Sequence, residues 1–468
     1  MMRNEIITEE DSKNQTEKKF QYMTQTAIPS LICQLAVPTI ISMLVNTFYN
    51  LVDSYFVGKL DTSAAGAIGV AYPLTMILQA IAFFFGHGSG NFISRKLGEK
   101  DQEKASNMVS CGVFYTFFIG IIITVVGLIF LKPLVYMLGS TDTIFPYARD
   151  YIFYLLLATP FFITSLVINN QLRFQGNALF SMLGIVTGAV VNMILDPLLI
   201  LGFNMGIKGA AIATMAGQIL SFFLLLFATT KGGSIRIELR RLNFRFYYFK
   251  EIFRGGVPSL FRQGLSAIAA ILLNKAAGPI GGDAAITGMS IVSRITMFAG
   301  AALIGFGQGF QPVCGFNYGA GLYRRVRKAF YFCVKYSLLL LIVLSAAGWI
   351  FADQLVTIFK KEDPEVIRIG VMALRWQCYT FPLFSWNVMT NMMLQSVGRP
   401  ISASISAAAR QGVFFIPLIL ILPRFFQLTG VVITQPLSDL CAFVISVPLA
   451  LHFLKELKNR PESTESVQ

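Results

Sequence analysis

The sequence predicts an all-α membrane protein with twelve transmembrane helices, arranged as two similar halves of six helices each. The prediction depends on the hydropathy, on the distribution of positive charge and on an internal repeat. Of the 468 residues, 55% are hydrophobic and only 13% are charged, and the mean hydropathy is +0.64. Soluble domains of this length do not tolerate so apolar a composition. The chain therefore belongs in a lipid bilayer.

Apolar stretches that are long enough to cross a bilayer recur along almost the whole chain. A helix needs about 20 apolar residues to span the hydrocarbon layer of roughly 30 Å. The twelve predicted spans are 30–57, 63–86, 105–131, 142–169, 179–202, 206–230, 256–276, 284–310, 327–351, 365–394, 400–422 and 428–453. The first 28 residues lack the apolar core of a cleavable signal peptide, so the first helix is expected to act as the targeting signal.

The positions of Lys and Arg predict how these helices are oriented. The formal net charge of +14 would by itself also fit nucleic-acid binding. However, most basic residues fall in segments on the same side as the N-terminus, such as the cluster at residues 324–328, and few fall in the opposite loops. This bias places both termini in the cytoplasm, as expected for a multi-pass protein of a bacterial plasma membrane. Membrane lipids are therefore expected partners, and nucleic acid is not.

Landmark residues of the first half return about 220 residues later, which indicates an internal duplication. The repeated pairs include Pro38 with Pro258, Pro160 with Pro382, Gly176 with Gly398, and Gly209 with Gly430. The predicted segments are a cytoplasmic N-terminal stretch (1–29), a first lobe (30–230), a basic cytoplasmic linker (231–255), a second lobe (256–454) and a cytoplasmic tail (455–468). The linker fits either a hinge for rocking lobes or a connection that only sets topology.

One face of the first predicted helix is polar and carries an acid. An Asp in the middle of a membrane helix costs roughly 2.5 to 3.5 kcal/mol on insertion scales, so it is a functional candidate by default. Asn46, Tyr49, Asn50 and Asp53 follow one another in steps of three and four residues, which places them on the same side of the helix. This face is expected to point into the helix bundle.

The fifth predicted helix supplies a second buried acid. Asn192 precedes Asp196 by one helical turn, and Pro197 frees a backbone carbonyl oxygen nearby. Thr214 of the sixth helix lies at a similar depth, so these oxygens are expected to meet Asp53 and to suit a proton or a hard cation such as Na⁺. The hypothesis is that ion binding here reshapes the first helix and releases an exported compound. A purely structural bridge between helices is the alternative.

The second half carries a different set of membrane charges. It places Arg294, Arg410 and Asp439 near the middle of the membrane, with Arg262 closer to the cytoplasm. Because an isolated buried Arg is costly, Asp439 is expected to form an ion pair with Arg294 or with Arg410. A role of these residues in binding a substrate or an anion is the alternative.

The sequence contains no nucleotide-binding signature and no cluster with the spacing of metal ligands. The six cysteines fall in or beside apolar helices, without a CxxC pair. Neither an enzymatic activity nor a bound cofactor is expected. Transport energy must therefore come from an ion gradient, H⁺ or Na⁺, or the chain is passive.

Four segments resemble a known family of membrane transporters. They are residues 51–58 (LVDSYFVG), 192–200 (NMILDPLLI), 209–214 (GAAIAT) and 315–319 (GFNYG). They resemble the multidrug and toxic compound extrusion (MATE) family, in the bacterial branch with the staphylococcal MepA-like proteins. The resemblance covers essentially the whole chain after residue 30.

The resemblance implies a V-shaped pair of six-helix lobes around a central cavity. It also implies a monomer that exports cationic or amphipathic aromatic drugs by alternating access, in exchange for H⁺ or Na⁺. Carried over position by position, it implies a cation site at Asp53, Asn192, Asp196 and Thr214. It implies a first-lobe cavity lined by Pro38, Asn46, Tyr49 and Asn169, next to Asn50. Some relatives also have coupling acids in the second lobe, where this chain has only Asp439.

Two other functions stay open at this point. A two-lobe scaffold does not by itself define a substrate, so a flippase for lipid-linked precursors of the same superfamily is one alternative. A membrane scaffold that transports nothing is the other, and the buried acids argue against it.

Overall fold

The computed structural model describes residues 17–58, 62–231, 235–243, 245–360 and 363–462, and the regular structure of these residues is entirely helical. The helices are α1 (17–25), α2 (Ile28–Gly58), α3 (Thr62–Gly98), α4 (Gln102–Ile129), α5 (Leu131–Met137), α6 (Phe145–Phe174), α7 (Ala178–Pro197), α8 (Gly206–Ala228), α9 (Phe246–Gly319), α10 (Tyr323–Ile350), α11 (Ala352–Phe359), α12 (Pro364–Thr380), α13 (Leu383–Ser396), α14 (Pro400–Ala408) and α15 (Phe415–Asn459). The π-helical turns Leu198–Gly202 and Ala409–Val413 continue α7 and α14, and Leu239–Arg241 forms a 3₁₀ turn.

These helices make the twelve membrane crossings that the sequence predicts. Within the described residues, nine helical segments are long and apolar enough to cross a membrane. Two of these segments each hold two crossings, because α9 is broken at Gly281 and Gly282 and α15 at Gln427. The remaining crossing consists of α12 and α13, which are interrupted at Phe381 and Pro382.

Helix ends follow local sequence signals. The Asp101 carboxylate accepts a hydrogen bond from the backbone N–H of Lys104 at 3.1 Å and caps α4. Asp363 caps α12 in the same way, just before a proline in the first turn. Gly176 ends α6 with φ at +83°, a left-handed conformation that glycine adopts without strain.

The internal repeat is visible as matching structure in the two lobes, which are formed by α2–α8 and α9–α15. The Asn169 side chain of α6 donates to the carbonyl oxygen of Ser181 at 2.9 Å. Its counterpart in the second lobe, Asn391, donates to the carbonyl oxygen of Ala403 at 2.7 Å. Gly398 has φ at +79°, like its counterpart at the end of α6. The predicted pair of pseudo-symmetric six-helix lobes is confirmed.

Two glycines bring the lobes together at the pseudo-twofold axis. A methyl group on Gly98 of α3 would lie 2.1 Å from the carbonyl oxygen of Phe316 of α9. Reciprocally, a methyl group on Gly319 would lie 2.1 Å from the carbonyl oxygen of Arg95. Only glycine permits so close an approach of two helix backbones.

Further lobe-to-lobe contacts lie toward the same end of the molecule. The Thr39 hydroxyl of α2 donates to the carbonyl oxygen of Gly305 at 2.6 Å, and the Ser94 hydroxyl of α3 donates to that of Pro312 at 3.0 Å. Both ends of the described chain lie here as well, since the Asn317 side chain donates to the carbonyl oxygen of Met23 and Arg460 contacts Tyr318. We call this end of the molecule the termini end. The lobes diverge from it in a V.

The outer surface of the helices is apolar, as contact with lipid requires. Large side chains on several helices are more than half exposed: Phe118, Ile129, Phe227, Ile350 and Val444. So many exposed apolar residues around the circumference are typical of a membrane-embedded surface rather than of a water-soluble one. The protein is therefore a multi-pass membrane protein.

Candidate functional site

Four helices of the first lobe bring two carboxyl groups into one buried cluster. Asp53 of α2 is 7% exposed and Asp196, at the end of α7, is fully buried. The two acids are close enough to interact electrostatically. The hydroxyl of Tyr151, from α6, forms a hydrogen bond with Asp53, and Thr214 of α8 completes the cluster. The acids that the sequence predicts to meet are therefore neighbours in the fold.

Asn192 connects Asp196 to α8. Its amide is best satisfied with the nitrogen donating to Asp196 Oδ2 at 3.2 Å. The amide oxygen then accepts from the backbone N–H of Thr214 at 3.0 Å and from the Thr214 hydroxyl at 3.2 Å. The one-turn spacing between Asn192 and Asp196 is what allows the amide to reach the carboxylate.

One oxygen of each carboxyl group has no hydrogen-bond partner among the described residues. These atoms are Asp53 Oδ1 and Asp196 Oδ1. Buried polar atoms are nearly always paired, and an exception calls for an explanation. Two unpartnered carboxylate oxygens beside amide and hydroxyl oxygens fit a proton or a hard cation. The described residues contain no group of three acids, histidines or cysteines that would form a permanent metal site.

A cavity adjoins the acid cluster. It has two adjoining parts, of about 170 and 260 Å³, and residues of both lobes line each part. Side chains that line both parts are Met43, Asn46, Tyr49, Gln79, Phe162, Thr214, Gln218 and Ile304. The second part reaches Asp53 and Tyr151, and the first part reaches Asn192 and Arg262.

Tyr49, Thr214 and Gln218 line the cavity and also surround the two acids. The Tyr49 hydroxyl forms hydrogen bonds with Thr214 and Gln218, and it lies close to both carboxyl groups. Any molecule in the cavity therefore contacts groups that also respond to the charge of the acids.

Only some of the other residues that were expected to line the cavity lie in its wall. Asn46 and Asn169 lie in its wall. Pro38 is buried in α2 outside both parts of the cavity, and its carbonyl oxygen accepts from the Ser42 hydroxyl at 3.0 Å. The backbone of Asn50 is helical, but its side chain lies outside the described part of the structure. Asn169 also has a structural bond that its symmetry mate shares.

The acid of the second lobe has all its bonds satisfied. Asp439 is fully buried, and its Oδ1 accepts from Arg410 Nε at 2.6 Å and from Gln435 at 2.8 Å. Its Oδ2 accepts from Gln377 at 2.8 Å. The Arg410 guanidinium also stacks over the Phe384 ring, 3.8 Å from the centroid. This paired acid differs from Asp53 and Asp196, which retain free oxygens.

Of the two arginines considered as its partner, the structure brings only Arg410 to Asp439. Arg410 lies in the π-helical turn after α14, which directs its side chain inward. Arg294 is exposed and is close enough to Tyr72 of the first lobe to interact with it electrostatically.

The sequence analysis does not identify two residues that lie at the acid cluster, Gln218 and Tyr151. Gln218 has a detectable signal, because Thr214, Gln218 and Ser221 form a polar stripe at helical spacing in an otherwise apolar segment. Tyr151 has none, because nothing in its own helix marks the side that faces α2.

Comparisons with known proteins identify the scaffold. The sequence profile of the MatE family matches residues 38–198 and 258–421, one segment in each half of the repeat. The multidrug export protein MepA of Staphylococcus haemolyticus is 26% identical over 447 residues, covering 95% of this chain and 97% of that protein.

Solved structures show the same architecture. A multidrug resistance MATE family transporter of the MOP superfamily, in an outward-facing conformation, superposes with a TM-score of 0.89 at 26% identity, over 95% of this chain and 99% of its own. A MOP superfamily transporter of Pyrococcus furiosus, whose binding pocket is described as having reverse polarity, gives the same TM-score, identity and coverage.

Proposed function

Because the chain belongs to the MatE family, we propose that it is a secondary active exporter of cationic and amphipathic aromatic drugs, driven by H⁺ or Na⁺ entry. The observation that carries this proposal is the pair Asp53 and Asp196, two buried acids with unpartnered oxygens beside a large cavity. Relatives named as multidrug export proteins support the export of drugs. Members of the family are transporters rather than enzymes.

Coupling arises from the groups that the cavity and the acid cluster share. When Asp53 and Asp196 hold no ion, their negative charge favours a cationic substrate in the adjoining cavity. When a proton or Na⁺ neutralises them, the attraction falls, and Tyr49 loses its charged neighbours. The ion and the drug therefore exclude each other, which is the requirement for antiport.

The arrangement of the lobes supports an alternating-access mechanism. With the termini end in the cytoplasm, as the distribution of basic residues favours, the present conformation is closed to the cytoplasm. The opposite state requires the glycine contacts at this end to separate. The two lobes, 30–230 and 256–454, then rock about the 231–255 linker. Residues 232–234 and 244 of this linker lie outside the described part of the chain, and residues 246–255 already belong to α9.

The test uses purified protein in lipid vesicles loaded with ethidium, with a pH gradient or a Na⁺ gradient imposed separately. We expect wild-type protein to move ethidium against its gradient under at least one of the two conditions. Asp53→Asn and Asp196→Asn are each expected to reduce this gradient-driven transport at least about tenfold, because a neutral amide cannot exchange an ion.

A matched control is Asp283→Asn, which changes an exposed acid of the second lobe. It should transport ethidium at the wild-type rate. Normal gradient-driven transport by both first-lobe variants would refute the coupling role of the acids. Absence of transport by the wild-type protein under both gradients would refute the exporter itself.

A further inference from the structure

The floor of the cavity, toward the termini end, contains an arginine without a counter-ion. Arg262 of α9 lines the cavity, and its guanidinium has neither a hydrogen-bond partner nor a nearby carboxylate among the described residues. Its backbone carbonyl oxygen accepts from the Ser266 hydroxyl, so the helix itself is regular here. Guanidinium groups in a membrane protein are normally paired, because an unpaired charge is costly.

A second guanidinium lies behind the first. Arg173 of α6 is 1% exposed and is close enough to Arg262 for the two charges to repel each other. It donates to Gln308 Oε1 at 2.6 Å and to Asn170 Oδ1 at 2.6 Å, and its Nε has no partner among the described residues. Gln308 itself lines the cavity. The neutral amides position Arg173 without cancelling its charge.

His87 is the other titratable group that faces these arginines. Its Nδ1 lies 2.8 Å from the Ser259 hydroxyl, and its ring stacks on Phe83. It interacts electrostatically with Arg173 and Arg262, and none of the described acids acts on it. The floor of the cavity is therefore positive, with no compensating carboxylate in the described part of the chain.

The acids lie at a different depth. Pro38 and Pro258 are equivalent in the repeat; Asp53 is fifteen residues beyond the first and Arg262 four residues beyond the second. At 1.5 Å per residue, this difference of eleven residues places the two charged groups about 16 Å apart in depth. Among the described residues, no guanidinium acts on Asp53 or Asp196. Opposite charges are thus kept apart along one cavity whose middle is lined by Phe162, Met43 and several amides.

We propose that Arg262 binds a carboxylate of the exported compound, so that the cavity selects zwitterionic aromatic molecules with their cationic end toward Asp53. This inference deepens the proposed export function and depends on it. A guanidinium suits a carboxylate because its parallel N–H groups donate to both oxygens at once. Arg173 is a positioning residue, which holds Gln308 and adds a fixed positive charge behind the site.

The experiment measures selectivity with a rhodamine free acid and its methyl ester. The two dyes share the same aromatic cation and differ only in the carboxylate. Their binding to the purified full-length protein is followed by fluorescence anisotropy, for wild type, Arg262→Gln and Arg262→Lys. Arg424→Gln, which changes an exposed arginine of the same lobe, is the matched control.

We expect the wild-type protein and Arg424→Gln to bind the acid about tenfold more tightly than the ester, as one charge-assisted contact allows. Arg262→Gln should abolish this ratio, and Arg262→Lys should keep part of it. For Arg173→Lys the ratio should survive, since the charge behind the site is retained.

A wild-type ratio near one, or an Arg262→Gln variant that weakens both dyes equally, would overturn the inference. The inference would also be overturned if phosphatidylglycerol vesicles displaced the acid while an excess of a dicationic competitor without an ester group did not. The site would then bind a lipid headgroup. Ethidium, which has no carboxylate, separates the two proposals. Its gradient-driven transport tests the exporter alone, and its failure would refute the exporter rather than the carboxylate site.

Discussion

Gly98→Ala tests directly whether the glycine contact between the lobes holds the present conformation. The added methyl group would lie 2.1 Å from the carbonyl oxygen of Phe316 and 2.9 Å from the backbone nitrogen of Ala320. Both are backbone atoms within or at the end of α9, so no side-chain rotation relieves the clash. The helices must separate by about 1 Å to restore ordinary contact.

The energetic cost follows from this geometry. Overpacking of a close-packed contact typically costs about 1 to 3 kcal/mol. Since each 1.4 kcal/mol is a factor of ten, the closed termini end loses a factor of about 5 to 150 in population. We therefore expect Gly98→Ala to shift the protein toward the state that is open at the termini end.

The matched control is Gly69→Ala in the same helix, where an added methyl group meets nothing within 4 Å. Gly69 lies in the interior of α3, where Ala gains about 1 kcal/mol of helix propensity, whereas Gly98 is the last residue of the helix. Only the methyl group on Gly98 meets the second lobe, so faster labelling of that variant reports the contact. The assay is labelling by a membrane-impermeant maleimide of Gln263→Cys, a cavity residue, in vesicles that expose the termini end. The six native cysteines are replaced beforehand.

Faster labelling is expected for Gly98→Ala than for Gly69→Ala, together with a lower Tm. Equal labelling rates for the two variants would show that the contact at Gly98 does not control access to the cavity.

Four further substitutions distinguish structural from functional roles. Asp439→Asn leaves the Arg410 charge unpaired and should lower the free energy of unfolding by about 3 to 5 kcal/mol, as measured by thermal unfolding. Gradient-dependent transport, measured as vesicle flux, should persist. Loss of coupling at unchanged stability would contradict this. Asn169→Ala removes two buried hydrogen bonds to Ser181, and Asn391→Ala removes one to Ala403. Each substitution should cost about 1 to 3 kcal/mol, but only Asn169→Ala should raise the KM for substrate. Tyr151→Phe should weaken ion-driven transport without affecting the Tm greatly, and wild-type flux at limiting gradient would refute its role beside the acids.

Most of the fold could be predicted from sequence because hydropathy and the landmark prolines and glycines are local or repetitive signals. The boundaries were less accurate. The helix α9 begins at Phe246, well before the predicted span at 256, because Tyr248 and Ile252 continue it beyond the apolar core and are buried against the first lobe. Hydropathy marks where lipid begins and not where a helix ends.

The acid cluster could also be predicted in part from the sequence. Spacing on α2 and α7 predicts that Asp53, Asn192, Asp196 and Thr214 share a site, and the fold brings them together. The role of Tyr151 could not be predicted from the sequence, because it depends on which side of α6 packs toward α2.

The sequence by itself determined the number of helices, their apolar surface and the twofold repeat, since each is written in composition and spacing along the chain. Only the tertiary structure decided which buried charges are neutralised. Asp439 meets Arg410 at 2.6 Å, whereas Asp53 and Arg262 have no opposite charge beside them in the described part of the chain. Ion pairing depends on distances of a few ångströms between different helices, and helical periodicity contains no information about those distances.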